Sequence, residues 1–148
     1  MVYNVAKDYL DKARTSLDQA EQCLNQFDYS TSIHRISECI ELSLKAVIKL
    51  ITSESPSHTH DVSGDLGRIL DKFPEWFKER VPRFALLSKI VADLRLFAIY
   101  GYEAMNAPAK KLFSRYEAEA YIEGAKEVLC DCERLYCEEQ EKKKDPIL

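Results

Sequence analysis

Chain breakers are scarce in this sequence, with 4 Gly and 5 Pro among 148 residues. That scarcity excludes an architecture of many short strands joined by tight turns and favours long helices. Long apolar runs are missing too. Stretches such as "AVI" fall far short of the roughly 20 residues needed to span a bilayer. The opening "MVYNVAKDYLDKAR" has no uninterrupted apolar core, so no signal peptide and a cytoplasmic location are expected. Positive charge is not in excess: the formal net charge is −4. This argues against a broad electrostatic grip on nucleic acid and leaves room only for a local basic patch. Disulfide pairing is not expected, because the 5 cysteines are an odd number in a chain without an export signal. Cys130, Cys132 and Cys137 share one helical stretch. Neighbours two apart on a helix point in different directions, so structural thiols are preferred to a zinc site. Neither a metal nor a cofactor is expected.

What is present is helical periodicity. The length fits one domain, 1–140, followed by a charged, frayed tail, 141–148. Leu10, Ala13, Leu17, Ala20, Leu24 and Phe27 step by three and four, which predicts a helix from about Asn4, its N-cap, to Gln26. A short turn leads to a second helix, about Tyr29 to Ile51, with the stripe Ile33, Ile36, Ile40, Leu44, Val47 and Ile51. Its second half also carries Leu42, Ala46, Ile48 and Leu50. Apolar on more than one face, it is either central in the bundle or shared with a partner subunit. Glu41 and Lys45 are spaced to pair along it. A short helix follows, about Val62 to Lys72, then "FPEWFKERVP", an aromatic-rich linker or short helical turn bracketed by Pro74 and Pro82. A further helix runs from about Arg83 to Tyr102 with the stripe Leu87, Ile90, Val91, Leu94, Phe97 and Ala98. Gly101, Asn106 and Pro108 break the pattern. Ser114 and Glu117 form a capping box for a last helix ending near Glu139. The fold class is therefore all-α: an up-and-down bundle of four main helices plus a short one.

The loop "SPSHTHDVSGDL" holds His58 and His60; the third histidine, His34, falls beside the stripe of helix two. Two histidines so close together, with only Asp61 adjoining, do not supply the separated ligands that zinc needs. Capping of the short helix by Thr59 or Asp61 is preferred, with His60 packed inward on one hydrogen bond. A nucleotide pocket lined by His60 is the residual alternative. His34 is read as a histidine at the edge of the core. Trp76, Phe73 and Phe77 are read as an apolar plug rather than a base-stacking platform.

The order of these features resembles the HEPN domain family, small all-helical proteins of prokaryotes. Three patches carry it: "AKDYLDKARTSLDQAEQCLNQFDYSTSIHRISECIELSLKAVIKLI", "SHTHDVSGDLGRIL", and "RLFAIYGY" followed by "SRYEAEAYIEGAKEVL". The resemblance implies a homodimer and a small nucleotidyltransferase as partner in a toxin–antitoxin-like pair. It also implies a motif of Arg, four residues, His, one residue, Tyr. Here Arg95 and Tyr102 match and Tyr100 stands where the family has histidine.

Metal-free RNA cleavage needs a base and an acid near neutrality, which histidine supplies and tyrosine, near 10, does not. Arg95, Tyr102 and Lys45 are thus candidates to bind a nucleotide or RNA phosphate without efficient cleavage. The resemblance further implies that the partner enzyme adds AMP to the motif tyrosine, which makes Tyr102 the candidate acceptor and Tyr100 less so. An active ribonuclease, with Arg95, Tyr100, Tyr102 and His60 as its catalytic set, is the alternative, as is a nucleotide-binding regulatory domain. For Arg95 a plain surface cation near a helix end, and for both tyrosines a place in an interface, stay open.

Overall fold

The computed structural model describes residues 2–144, and of Lys144 the backbone only. It is an all-α bundle. Six helices follow in order: α1 (Val2–Asn25), α2 (Tyr29–Thr52), α3 (Ser63–Arg68), α4 (Glu75–Lys78), α5 (Val81–Tyr100) and α6 (Arg115–Lys144). Single 3₁₀ turns lie at Leu70–Lys72, Glu103–Met105 and Ala109–Lys111.

Helix α2 is central. Ile33, Ile36, Ile40, Leu44 and Val47 are buried, and α1, α5 and α6 all pack on it. Ile48 and Leu50 are buried as well, and Leu42 packs against the same core. Of the two readings of this two-faced helix, the central one is correct. One chain covers it without a partner subunit.

Asp28 caps α2, its carboxylate accepting from the Thr31 amide at 3.2 Å. The turn before it is a Schellman closure: the Asp28 amide reaches the Cys23 carbonyl at 2.8 Å and the Phe27 amide reaches Leu24 at 3.1 Å. Phe27 takes the left-handed position, φ 61°, usually given to glycine. That turn swings its ring off the stripe, and Phe27 is 72% exposed rather than in the core.

Both ends of the bundle run past their expected limits. Helix α1 starts at Val2, so Asn4 lies inside it and is not its cap. Helix α6 continues to Lys144 rather than stopping near Glu139. Each end holds the other. The Tyr3 hydroxyl donates to the Glu139 carbonyl at 3.2 Å, its ring meets Tyr136 edge-on, and Lys143 lies 4.7 Å over that ring. Charged residues with no apolar period of their own are thereby kept helical. The remainder of the expected tail, 145–148, lies outside the described residues.

Helix α5 begins two residues before Arg83, because Pro82 is well placed in a first turn, where its missing N–H costs nothing. The short helix breaks at Ile69, and its remainder tightens into the 3₁₀ turn Leu70–Lys72. The capping box forms at α6: the Ser114 amide donates to Glu117 at 3.0 Å and the Glu117 amide to Ser114 Oγ at 3.3 Å. Cys39 and Cys132 are buried, and burial pushes the Cys39 thiol up to about 12. Such thiols are inert. Among the described residues no three His, Cys, Asp or Glu side chains converge as a metal site. No helix among them is long and apolar enough to cross a membrane.

Candidate functional site

Helix α2 has a second stripe, and it is polar. His34, Glu38, Glu41 and Lys45 are spaced by four, three and four, so they stand one above another on one face. All four are largely covered, with side-chain exposures of 22, 32, 19 and 13%. Polar groups at that depth need partners. Glu38 Oε1 lies 3.4 Å from His34 Nε2, and the same carboxylate accepts from Arg35 at 3.1 Å and from Ser16 at 3.2 Å. Glu41 accepts from Lys45 at 2.9 Å and meets His60 Nδ1 at 2.6 Å.

His60 reaches Glu41 because its loop is pinned to α5. The Val62 amide donates to Ser88 Oγ at 3.0 Å, and the Ser63 amide donates to Asp61 Oδ1 at 2.9 Å. The N-cap position of α3 falls on Val62 rather than on Asp61 or Thr59: Asp61, one residue earlier, still accepts from the first amide of the helix, and Thr59 donates to the Asp61 carbonyl instead of capping. His60 makes its one hydrogen bond, but it does not pack inward: its side chain is half exposed.

Arg95 stands on α5. It is partly buried, and its charge reaches His34. Burial lowers the pKa of His34 below the usual histidine value, and the charges of Arg35, Arg95 and His60 lower it further. Glu38 opposes them only in part. His34 is therefore neutral at pH 7.

The tyrosines stand elsewhere. Five residues separate Arg95 from Tyr100, a turn of about 140° on a helix, and Tyr100 is 64% exposed. Tyr102, beyond the end of α5, packs edge-on to Phe97 with ring centroids 5.8 Å apart. Phe97 lies roughly opposite Arg95 on the helix. Tyr102 and Phe97 line a cavity of about 400 Å³ with Leu94, Leu112, Phe113 and Glu117, and Arg95 is not in its wall. Within one chain, then, the Arg95 to Tyr102 segment presents two surfaces. Arg95 lies on one of them, and Tyr100, Phe97 and the Tyr102 ring packed on Phe97 lie on the other.

His34 is the residue that sequence reasoning missed as a member of this group. Its signal is in the sequence: the spacing used to find apolar stripes also links His34, Glu38, Glu41 and Lys45.

A family model described as the HEPN domain matches residues 6–135. The crystal structure of TT1696 from Thermus thermophilus is similar in fold. It is 24% identical, with a TM-score of 0.70 over 89% of this chain and 98% of that one. A search of curated proteins finds no match.

Proposed function

The chain belongs to the HEPN domain family, and from that premise we propose that it is a dimeric protein that binds the phosphates of a nucleotide or an RNA strand, as partner of a minimal nucleotidyltransferase in a toxin–antitoxin-like pair. One observation carries the binding role. Of the eight arginines, seven pair with carboxylates, and Arg95 has no such partner among the described residues. Leaving a guanidinium half-buried and uncompensated costs free energy. An anionic ligand would remove that cost. Tyr100 in the histidine position supports binding over cleavage, because a phenol is a poor base near neutrality.

Replacing Arg95 by Gln is expected to weaken binding of a rhodamine-labelled decaadenylate by about tenfold or more, the loss of a charge-assisted hydrogen bond. Fluorescence anisotropy reads it. Unchanged affinity in that variant would sink the reading. Native pull-down tests the partner: recovery of a nucleotidyltransferase, or an AMP mass on Tyr102, supports the pairing. Repeated recovery of this chain alone counts against it. The ribonuclease reading draws support from two histidines, His34 and His60, each beside a glutamate of α2. It requires RNA cleavage in chelator that disappears with Arg95→Gln.

Support for the dimer comes from α5, not α2. This helix carries apolar residues on its exposed side as well as its buried one: Phe84, Val91 and Ala98 are buried, while Leu86, Leu96, Phe97 and Tyr100 are exposed. Met105 and Tyr116 are exposed as well. Exposed aromatic and aliphatic groups in such number mark an interaction surface. Light scattering is expected to give a dimer at micromolar concentration, and Leu96→Glu with Phe97→Glu a folded monomer. A wild-type monomer would overturn it.

A further inference from the structure

We propose that the outer face of α6 is a self-association surface separate from the apolar face of α5, on which two copies of the chain lie antiparallel and close two disulfides, Cys130 to Cys137, under oxidising conditions. Of the three thiols of α6, Cys132 alone is buried, while Cys130 and Cys137 are exposed. Seven residues apart, these two stand about 20° from one another around the helix and about 10.5 Å apart along it. A disulfide joins Cα atoms no more than about 7 Å apart, so the pair cannot close within one chain. Glu123, Lys126, Arg134 and Glu141 fall within about 40° of Cys130 on the same side. All four are exposed, so the stripe is open to a partner over its whole length.

The charges of the stripe choose the orientation. A twofold axis crossing the helix between Glu133 and Arg134 sets Cys130 level with Cys137 of the second copy, and Cys137 level with its Cys130. The same register sets Lys126 level with Glu141 of the second copy, again twice. Lys142 pairs with Glu139 at 3.1 Å, and Glu141 has no ion pair among the described residues. Lys126 holds only Glu123 at 3.4 Å and Glu21 at 3.9 Å. Near the axis Arg134 and Glu133 each meet their own copy, but both are already neutralised, by Glu138 at 2.9 Å and by Arg14 at 2.6 Å. A parallel pair would instead set Lys126 on Lys126 and Glu141 on Glu141, and like charges across a contact repel. At an axis separation of about 10 Å, facing Cα atoms are about 5.4 Å apart, inside the range of a disulfide. Each bond needs a two-electron oxidant, which a low-molecular-weight disulfide such as glutathione disulfide supplies. A thiolate of one copy attacks its S–S bond, forms a mixed disulfide and releases one glutathione. The facing thiolate of the second copy then displaces the other. Two cysteine thiols are oxidised, one glutathione disulfide is reduced, and the two glutathione thiols take the two protons.

The test is oxidation of the full chain by glutathione disulfide, read on non-reducing gels and by mass spectrometry of the cross-linked peptides. A covalent dimer that dithiothreitol reverses is expected, with Cys130 joined to Cys137. Cys130→Ser and Cys137→Ser are each expected to lose all of it, because the one remaining thiol then faces serine. Circular dichroism at wild-type strength shows that a lost cross-link is not a lost fold. Lys126→Glu is expected to slow dimer formation about fivefold or more at low salt, and Lys126→Glu with Glu141→Lys to restore it. Leu96→Glu with Phe97→Glu is expected to keep the covalent dimer, since it alters α5 and not α6. Loss of the dimer there overturns α6 as a separate surface. Cys130 joined to Cys130, or Cys137 to Cys137, overturns the antiparallel arrangement. Thiols capped by glutathione without any covalent dimer overturn the contact itself, as does a dimer linked through Cys23 that survives both serine variants.

Discussion

Phe77→Ala is expected to cost about 3–5 kcal/mol of stability, the range for a large buried ring cut back to a methyl group. Phe77 is fully buried. It lies at the centre of an aromatic knot, with ring centroids 4.7 Å from Phe73, 5.5 Å from Trp76 and 5.9 Å from Phe84. Its helix, α4, is only four residues long and cannot stand by its own hydrogen bonds. The buried ring is what docks α4, so the void cannot close by a small adjustment. The loss is a large share of the roughly 5–15 kcal/mol that holds a domain together. Urea unfolding followed by circular dichroism should show the midpoint falling, with a melting point lower by about 10 °C or more. Phe77→Leu should cost much less, about 1–2 kcal/mol, because most of the volume is kept. A Phe77→Ala loss under about 1 kcal/mol would mean that the knot is not a unit of the core.

Gly101→Ala is the second large effect. Gly101 ends α5 with φ 74° and ψ −166°, a region essentially reserved for glycine. A Cβ there would stand 2.4 Å from the Ala107 carbonyl oxygen and 2.8 Å from the Ala109 amide nitrogen. Both are backbone atoms. They cannot retreat without opening the bridge in which the Tyr102 amide donates to the Ala107 carbonyl at 2.9 Å and the Ala107 amide to Tyr102 at 3.1 Å. The backbone strain alone is worth about 1–3 kcal/mol, and the clash adds to it. The expected sum is about 3 kcal/mol or more. Hydrogen exchange should show the Tyr102 and Ala107 amides losing protection first. A contrast is Gly64, in α3, where a Cβ meets nothing within 4 Å. Alanine there should be neutral or mildly stabilising. Equal losses at the two glycines would refute the assignment of Gly101 as a required glycine.

The fold is largely legible in the residues. Periodicity locates the long helices because one face of each must be buried, and Ser114 with Glu117 locates the start of α6. The departures at the two chain ends share one cause. Local signals put a cap at Asn4 and an end to α6 near Glu139, because they carry no account of Tyr3 gripping the far end of the chain. Phe27 fits the apolar stripe by spacing, yet its backbone turns left-handed and carries the ring outward. At the candidate site, Glu41 and Lys45 are readable as a pair, and Arg95 as a candidate phosphate contact. The meeting of His60 with Glu41 spans 19 residues of sequence and depends on the loop being tied to Ser88. No spacing rule reaches that far. Tyr100 and Tyr102 are near Arg95 in sequence, but the helical turn sends them to another surface.

Trp76 is the one tryptophan of the chain. It is partly buried, its indole N–H donates to Glu138 at 2.8 Å, and Arg134 stacks 3.8 Å over its ring. Its emission therefore senses the contact of α4 with the last helix, and its partners Glu138, Arg134 and Phe77 lie outside the Arg95 to Tyr102 segment. The chain carries a built-in fluorophore for folding that lies outside the proposed ligand site. Unfolding should shift that emission, whereas ligand occupancy should leave it nearly silent, so the same cuvette can separate a variant that fails to bind from one that fails to fold.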